Sequence, residues 1–321
     1  MKHYTLKNQR DSLAMPVLAL GTATFEDFAL EHTYFEILDK FYALGGRCID
    51  TARAYCAWAE NGADVSETVI GRWMAARGNR GEIILVTKGA HPDQIGGAPR
   101  VNAQALESDL ARSLEALGTD CVDVYLVHRD DPKVPVAEIM PTLDGFVKAG
   151  KVRFIGASNW KTERIAEANA FAAENGLEPF RVSQICYSLA HASTDMFGDD
   201  TLAVMDSKEY AWYEKNQFPV MAFSPQAKGF FSKLAKGESV SQLMEGQFAS
   251  AANLARLARV KLLSEKTGYS PAVITLGYLS SQAFPVTSVF AVSKLWQLEE
   301  DMAAQDLSFD RSVTAQLENM I

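Results

Sequence analysis

The chain has 321 residues, of which 48% are hydrophobic and 22% are charged. This composition provides enough apolar material for a large buried core, and the length suits one large domain with extended loops. A net charge of -9 leaves no broad basic surface for nucleic acid or an anionic membrane. We therefore expect one domain over residues 1–321, with neither kind of partner.

The cysteines Cys48, Cys56, Cys121 and Cys186 are far apart, form no CxxC pair and lie mostly in apolar runs. This usage is typical of reduced thiols in the cytosol. Polar residues interrupt the apolar stretches of the first twenty residues, and no apolar run reaches the ~18 residues of a membrane span. The sequence predicts a cytoplasmic protein without a secretion signal.

Short β-branched runs alternate with longer amphipathic segments from residue 17 onward. Before them, Tyr4–Leu6 and Leu13–Met15 flank a polar stretch and predict a β-hairpin at the N-terminal end of the fold. The eight apolar runs that predict strands are Val17–Leu20, Arg47–Asp50, Ile83–Thr87, Val122–Val127, Phe154–Ala157, Val182–Ile185, Val220–Phe223 and Thr287–Val292.

The segments between the strands carry apolar residues at spacings of three and four, which indicates helices. These helices are expected at Asn102–Leu117, Val136–Ala149, Lys161–Asn175, Asn253–Lys266 and Leu295–Ala304. Ser66 suits a helix N-cap, while Gly118 and Gly150 suit helix ends. The alternation predicts an α/β fold, a closed (β/α)8 TIM barrel with the N-terminal hairpin and additional C-terminal helices.

Polar residues follow the predicted strands at the end where a barrel carries its active site. Asp50, Lys88 and His128 follow or end three consecutive strands, and Tyr55 comes five residues after Asp50. Because neighbouring strands end at the same face, these four side chains should converge. Each one alone would more often be a solvated residue or part of a structural ion pair, so the prediction rests on the set.

These four side chains suit proton transfer to a carbonyl oxygen. A carbonyl that accepts hydride develops alkoxide charge, which needs a proton and hydrogen-bond donors. Tyr55 would be the acid, and an adjacent Lys88 ammonium should lower the phenol pKa from its usual value of about 10. Asp50 would hold Lys88 in place, and His128 would orient the substrate oxygen.

Seven motifs occur in order along nearly the whole chain. They are LALGTATF at 18–25, DTARAY at 50–55, VTKGA at 86–90, VYLVHRDDP at 124–132, GASNW at 156–160, SQICYS at 183–188 and AFSP at 222–225. Together they resemble the aldo-keto reductase family, although each alone is weak. The resemblance implies NAD(P)(H)-dependent reduction of an aldehyde or ketone, which can be sugar-derived, to an alcohol. It also implies a catalytic tetrad of Asp50, Tyr55, Lys88 and His128.

The resemblance also implies a set of cofactor contacts. Ser158, Asn159 and Gln184 would bind the nicotinamide carboxamide, and Phe223, where the family often has tyrosine, would stack on the ring. The full expected set is Gly21, Thr22, Asp50, Ser158, Asn159, Gln184, Phe223, Ser224, Gln226, Gly229, Ser293, Lys294, Gln297, Glu300 and Asp301. No GxGxxG follows a strand, so the two-lobed dinucleotide fold is not expected.

The segment at 289–301 departs from the family pattern. Many members have a lysine and an arginine there that bind the 2′-phosphate of NADP(H), whereas this chain has Ala291 and Gln297. Ser293 and Lys294 begin a predicted helix and could compensate, because a helix N-terminus favours anions. On the resemblance alone, NADP(H) is slightly favoured over NAD(H).

Aromatic side chains near the strand ends are the expected substrate contacts. Phe25, Trp58 and Trp160 would line the pocket for a small-molecule carbonyl or alcohol, with Tyr55 and His128 at the reacting end. The loop at 191–200 contains a histidine and carboxylates but lacks metal-ligand spacing, so no metal is expected.

Two other functions stay open at this point. Lys88 could be the Schiff-base nucleophile of a barrel lyase, although pairing with Asp50 would keep it protonated. The chain could also be a cofactor-binding regulatory sensor with little turnover, which would show tight cofactor retention and a stable partner complex. The intact tetrad favours the reductase over both.

Overall fold

The computed structural model describes residues 1–57, 59, 62–92 and 97–318. Its strands within these ranges are β1 (His3–Lys7), β2 (Ser12–Pro16), β3 (Leu18–Gly21), β4 (Cys48–Asp50), β5 (Ile84–Gly89), β6 (Val122–Val127), β7 (Val152–Ser158), β8 (Val182–Cys186), β9 (Val220–Phe223) and β10 (Val286–Phe290). Strands β3 to β10 are parallel, and β10 pairs with β3 to close the barrel. The predicted TIM barrel is confirmed, and every predicted strand is present: β6 and β9 have the predicted bounds, and the other six have ends shifted by one or two residues.

Helices cover the outside of this barrel. In the described ranges they are α1 (Glu31–Ala43), α2 (Val65–Arg77), α3 (Ala103–Leu117), α4 (Val136–Lys148), α5 (Thr162–Asn175), α6 (Ser207–Asn216), α7 (Phe230–Ala235), α8 (Gln242–Phe248), α9 (Ala251–Thr267), α10 (Pro271–Leu279), α11 (Leu295–Met302) and α12 (Arg311–Glu318). The predicted C-terminal helices are therefore present. Among the described residues, no helix combines the length and the apolar character needed to cross a membrane.

The N-terminal hairpin closes one end of the barrel. Strands β1 and β2 pair antiparallel, and Asn8 Oδ1 accepts hydrogen bonds from the amides of Arg10 and Asp11 in the turn between them. Buried side chains of the hairpin, such as Met15, join the same apolar cluster as Phe154 inside the barrel. The predicted hairpin is confirmed, and the opposite end of the barrel is left for ligands.

One predicted helix cap is wrong and reveals a link between layers. Asp64 occupies the N-cap position of α2, and Ser66 lies inside the first turn. The Ser66 hydroxyl is buried and lies 2.8 Å from the Thr22 hydroxyl and 2.9 Å from the Thr51 hydroxyl. Ser66 therefore ties α2 to the carboxyl ends of β3 and β4 instead of capping the helix.

A close helix contact gives a stability prediction at Gly71. An added Cβ there would lie 2.4 Å from the Ala116 carbonyl oxygen, whereas one at Gly145 in α4 meets nothing within 4 Å. We expect Gly71→Ala to lower the free energy of unfolding by about 1–3 kcal/mol, because the backbone of α3 must shift. Gly145→Ala should raise it by about 0.5–1 kcal/mol, because alanine favours the helix. Urea denaturation measures both, and equal losses would contradict the steric explanation.

Candidate active site

The carboxyl ends of the barrel strands open into a cleft of about 790 Å³. This volume is typical of sites for small molecules and cofactors, which span roughly 300–1,000 Å³. Asp50, Tyr55 and His128 line it together with Gln184 and Phe223 from β8 and β9. The structure thus gathers residues that are widely separated in sequence at the end of the barrel opposite the hairpin.

Lys88 is the centre of a buried hydrogen-bond network. Its side chain is fully buried, and Nζ donates to Asp50 Oδ2 at 2.8 Å, to the Thr51 carbonyl oxygen at 2.7 Å and to the Tyr55 hydroxyl oxygen at 2.8 Å. Burial lowers the pKa of Lys88, and the Asp50 carboxylate opposes this shift. Gln184 Nε2 donates to the other Asp50 oxygen at 2.7 Å, which fixes the carboxylate.

The pKa of Tyr55 shifts against the prediction. Burial raises it well above its usual value, and Asp50 adds to the rise through its charge and by accepting the phenol hydrogen bond at 3.2 Å. The prediction that Lys88 lowers the pKa of Tyr55 is therefore wrong, because burial and the Asp50 carboxylate both favour the neutral phenol. Tyr55 keeps its proton at neutral pH, as a proton donor must, while Lys88 is placed to stabilise a phenolate once formed.

His128 completes the predicted tetrad beside Tyr55. The two rings meet edge to face with centroids 5.8 Å apart, and His128 is only 6% exposed. Burial lowers the pKa of His128 well below its usual value, and the nearby His91, Arg129 and Lys88 add to this effect. His128 Nδ1 is buried without a hydrogen-bond partner among the described residues. The imidazole is therefore neutral and suited to hydrogen bonding with a substrate oxygen.

Amide and hydroxyl groups stand beside the tetrad. Ser158, Asn159 and Gln184 are nearly fully buried and line the cleft. Asn159 Nδ2 donates to Ser158 Oγ at 3.2 Å and to the His128 carbonyl oxygen at 3.3 Å, and its own backbone is left-handed with φ of 60°. A primary carboxamide needs such mixed donors and acceptors, so these residues fit a nicotinamide.

The loop after β9 curls around the next part of the cleft. Phe223 is half-buried, and Ser224, Ala227 and Lys228 all have left-handed backbones, with φ of 52°, 49° and 56°. Left-handed residues change the direction of successive backbone amides, so a loop of this kind can present amide groups to an anion such as a pyrophosphate. The predicted members that line the cleft here and in the segment before and within α11 are Phe223, Ser224, Gln226, Gly229, Ser293, Gln297, Glu300 and Asp301.

Gln226 bridges this loop to α11. Its Nε2 donates to Asp301 Oδ1 at 2.6 Å. Burial raises the pKa of Asp301 to about 7. Gln297 Oε1 accepts hydrogen bonds from the backbone amides of Ser293 and Lys294, so it caps α11 from within the cleft.

Two predicted cofactor contacts lie elsewhere. Gly21 lines the cleft, but Thr22 is fully buried, with its hydroxyl directed to the Asp50 carbonyl oxygen at 3.0 Å. Lys294 is exposed at the N-cap of α11 and is not among the residues that line the cleft. The structure therefore does not bring Thr22 or Lys294 to this cleft.

The predicted aromatic wall is not assembled by the described residues. Phe25 is 1% exposed and stacks on Tyr34 at 4.2 Å, so it belongs to the core. Trp160 is fully buried, and its indole nitrogen donates to the Arg129 carbonyl oxygen. Both rings are held by packing partners instead of facing the cleft, and Trp58 lies outside the described residues.

Several cleft residues were not predicted as site residues. Arg129 lies next to Tyr55 and His128, while Lys233, Lys236 and Trp296 line the cleft farther out. Lys236 Nζ lies 5.1 Å from the centre of the Trp296 ring. The pair HR at 128–129 is a usable sequence signal, because the residue after a catalytic strand end shares the mouth. Lys233 in the short helix α7 and Lys236 directly after it carry no such signal.

Glu67 lies behind the tetrad and gives a pH prediction. Its Oε1 accepts from the Thr87 hydroxyl at 2.6 Å, and burial raises its pKa to about 7. In an unfolded chain a glutamate titrates near pH ~4.3, so the folded protein binds more protons between these values. Stability should therefore fall as the pH rises from about 4.3 to 7, by roughly 2–3 kcal/mol for this group.

The variant Glu67→Gln tests this dependence. The amide oxygen can still accept from Thr87, while the ionisable proton is lost. We expect a smaller decline of unfolding free energy between pH 5 and pH 8 than in the wild type, measured by urea denaturation. An identical decline in both proteins would show that Glu67 is not the cause.

The comparisons with known proteins agree with this geometry. A family model described as the Aldo/keto reductase family matches residues 17–321. The chain is 38% identical over 160 residues to an aryl-alcohol dehydrogenase of Pestalotiopsis microspora, a match that covers 48% of this chain but 40% of that protein. It is 27% identical over 292 residues to the aldo-keto reductase str7 of Strobilurus tenacellus, covering 88% and 79% of the two chains.

A further relative matches over nearly its whole length. The chain is 27% identical over 322 aligned residues to an uncharacterized oxidoreductase of Bacillus subtilis, covering 97% of this chain and 94% of that protein. The family match includes every barrel strand and the whole predicted tetrad. The chain therefore belongs to the aldo/keto reductase family and is an oxidoreductase.

Proposed function

We propose that this protein uses NAD(P)H to reduce an aldehyde or ketone to an alcohol, with Tyr55 as the general acid. The observation that carries the proposal is the fully buried Lys88 ammonium, bonded both to Asp50 and to the Tyr55 oxygen at 2.8 Å. This arrangement lies on the wall of a cleft of suitable size. The arrangement supports a role for Tyr55 as the group that gives one proton to a substrate oxygen held beside it.

The residues of the site divide the proton chemistry among them. A bound reduced nicotinamide would supply the hydride. Tyr55 gives its proton to the carbonyl oxygen as negative charge develops there, and Lys88 stabilises the resulting phenolate. Asp50 holds Lys88 beside the phenol through a hydrogen bond of 2.8 Å, and neutral His128 donates a hydrogen bond that orients the substrate oxygen.

The residues that line the cleft support the binding of a dinucleotide in an extended conformation. Ser158, Asn159 and Gln184 would hold the carboxamide, with Phe223 against the ring. The loop from Ser224 to Gly229 would hold the pyrophosphate, and Ser293, Gln297, Glu300 and Asp301 the adenosine end.

We further propose that NADP(H) is preferred over NAD(H). Lys228, Lys233 and Lys236 line the cleft, although Ala291 and Gln297 cannot pair with a phosphate. Lys228 donates to the amide oxygen Gln247 Oε1 at 3.0 Å, whereas Lys233 Nζ contacts the weaker acceptor Met244 Sδ at 3.6 Å and Lys236 Nζ lies over the Trp296 ring. Lys233 and Lys236 are therefore the better candidates for a 2′-phosphate. A dianion gains more from such ammonium groups than the hydroxyl of NAD(H) does.

The two lysines give a binding prediction. Lys233→Ala and Lys236→Ala should each raise the Kd for NADPH by about two- to fivefold while changing the Kd for NADH little, because a screened lysine–phosphate pair contributes about 0.5–1 kcal/mol. Titration of reduced-nicotinamide fluorescence at low salt measures both constants. Lys215→Ala, on α6 and absent from the cleft lining, is the charge control. Equal weakening of both nucleotides by Lys233→Ala and Lys236→Ala would contradict this assignment.

The alternative lyase function receives less support. A Schiff-base nucleophile must be a neutral amine, whereas Lys88 donates to three oxygen acceptors, of which one is a carboxylate. Substrate-dependent trapping of Lys88 by borohydride would reverse this preference.

The test of the reductase proposal is a fluorescence titration with NADPH and NADH, followed by absorbance measurements with a panel of aldehydes. One matched relative is named as an aryl-alcohol dehydrogenase, so aromatic aldehydes are the first to try. We expect nucleotide binding and aldehyde-dependent oxidation of the cofactor. Binding without turnover would favour the sensor function, and a lack of binding would overturn the proposal.

We also propose a cytoplasmic location and no nucleic-acid partner. The cysteines Cys48, Cys56, Cys121 and Cys186, all within the described residues, form no disulfide. Reduced thiols are typical of the cytosol, and the net charge of -9 disfavours binding to a phosphate backbone. Fractionation of the source cells would test the location.

A further inference from the structure

Arg129 is a cation at the reacting end of the cleft. It follows His128 directly in sequence, lines the cleft with Tyr55 and His128, and has a side chain that is only 13% exposed. Its charge opposes the rise in the pKa of Tyr55 and helps to lower the pKa of His128. The guanidinium is therefore within electrostatic reach of any group that contacts these two residues.

The hydrogen bonds of this guanidinium leave room for another acceptor. Nε donates to the Thr201 hydroxyl at 3.0 Å, Nη1 to the His128 carbonyl oxygen at 3.2 Å, and Nη2 to Asp199 Oδ2 at 3.5 Å. A guanidinium has five N–H groups, so these contacts, identified among the described residues, do not exhaust its donors. The contact with its carboxylate partner is also at the outer limit of a hydrogen bond.

The other charges nearby are already matched. Asp50 is bound to Lys88 at 2.8 Å, and burial keeps His128 neutral. Asp199 makes a close backbone bond of its own, accepting from the Thr201 amide at 3.0 Å. Arg129 is partly shielded from water, and its carboxylate partner is poorly placed. A second carboxylate that forms two parallel hydrogen bonds with the planar guanidinium would therefore bind favourably.

We propose that Arg129 binds a carboxylate on the substrate, so that the preferred substrates are carbonyl compounds that also carry an acid group. The inference rests on the reductase function proposed above and specifies its substrate class. The carboxylate is unchanged in the reaction. The carbonyl carbon gains the hydride and the carbonyl oxygen gains the Tyr55 proton, which gives a hydroxy acid.

The test uses pairs of aldehydes that differ in one charge. Wild type and Arg129→Met are assayed with NADPH and with 3-formylbenzoate, 4-formylbenzoate and the methyl ester of each. The measured quantity is the ratio of kcat/KM for acid to ester within one protein, which cancels any loss of folded enzyme. We expect a wild-type ratio above one for at least one isomer, and a fall of about ten- to hundredfold in Arg129→Met, mainly through KM.

Two further variants distinguish substrate binding by Arg129 from a purely structural role, in which Arg129 anchors the loop that contains Asp199 and Thr201. Arg164 is 15% exposed and pairs with Asp130 at 3.2 Å, but it is not among the residues that line the cleft. Arg164→Met should therefore leave the acid-to-ester ratio unchanged. Asp199→Asn removes the competing carboxylate and should raise the ratio if Arg129 binds substrate. If Arg129 serves only to hold the loop, Asp199→Asn and Arg129→Met will instead affect acids and esters alike.

The outcomes distinguish this inference from the function beneath it. A wild type that reduces esters as well as acids, with a ratio that Arg129→Met does not change, would overturn the inference and leave the reductase intact. A wild type that binds neither nucleotide and reduces none of the aldehydes would overturn both. Arg129→Lys adds a check on shape, because it keeps the charge without the fork and should retain only part of the preference.

Discussion

Tyr55→Phe is expected to lower kcat for aldehyde reduction by about 10²- to 10⁴-fold, because the variant lacks the proton donor. The structure suggests that the fold will survive this change. Lys88 keeps Asp50 and the Thr51 carbonyl oxygen as acceptors, so no buried charge is left unpaired. Steady-state kinetics measure the fall in kcat. Titration with NADPH measures its Kd, which should change little.

A second tyrosine provides the control for Tyr55→Phe. Tyr187 is buried with its hydroxyl 3.4 Å from that of Tyr278 and is not among the residues that line the cleft. Tyr187→Phe removes the same atom and should keep its turnover. A Tyr55→Phe variant that retained wild-type kcat would exclude this residue as the acid.

Lys88→Met is expected to lower the free energy of unfolding by about 3–5 kcal/mol as well as to abolish turnover. The physical reason is that Asp50, which is fully buried, would lose its cationic partner. Denaturation by urea at pH 7 measures the loss.

A double variant tests this explanation of the loss. Asp50→Asn combined with Lys88→Met removes both charges, and Gln184 can still donate to the side-chain oxygen at position 50. We expect the double variant to be more stable than Lys88→Met, although it remains inactive. A double variant no more stable than the single one would show that lost packing, not the stranded charge, is responsible.

The barrel and the convergence of Asp50, Tyr55, Lys88 and His128 could be predicted because both depend on short-range patterns. The apolar runs at 47–50, 83–87 and 122–127 end in or are closely followed by Asp50, Lys88 and His128, and parallel strands in a barrel all end at one face. Knowledge of the strand order was enough to bring Asp50, Lys88 and His128 together. The direction of the Tyr55 pKa shift could not be predicted from the strand order. It depends on how deeply the phenol is buried and on which of its charged neighbours has the larger effect on its pKa.

The aromatic residues that line the substrate pocket could not be predicted, because the direction in which each ring points depends on loop geometry. Asn159 adopts a left-handed backbone with φ of 60°, and the chain after it places Trp160 under the barrel surface against Phe180. A one-residue change in backbone conformation decides whether such a ring faces core or cleft. Phe25 shows the same limit, because its partner Tyr34 comes from a helix that follows it.

The hairpin of β1 and β2 has a consequence for the order of events in catalysis. With one end of the barrel filled by Met15 and its neighbours, the described residues leave the cleft at the carboxyl ends of the strands as the route to the barrel floor. Whatever occupies the floor beside Gln184 is then covered by the molecule that arrives above it. If the nicotinamide binds beside Gln184 as proposed above, the nucleotide would enter before the carbonyl substrate and leave after the alcohol product.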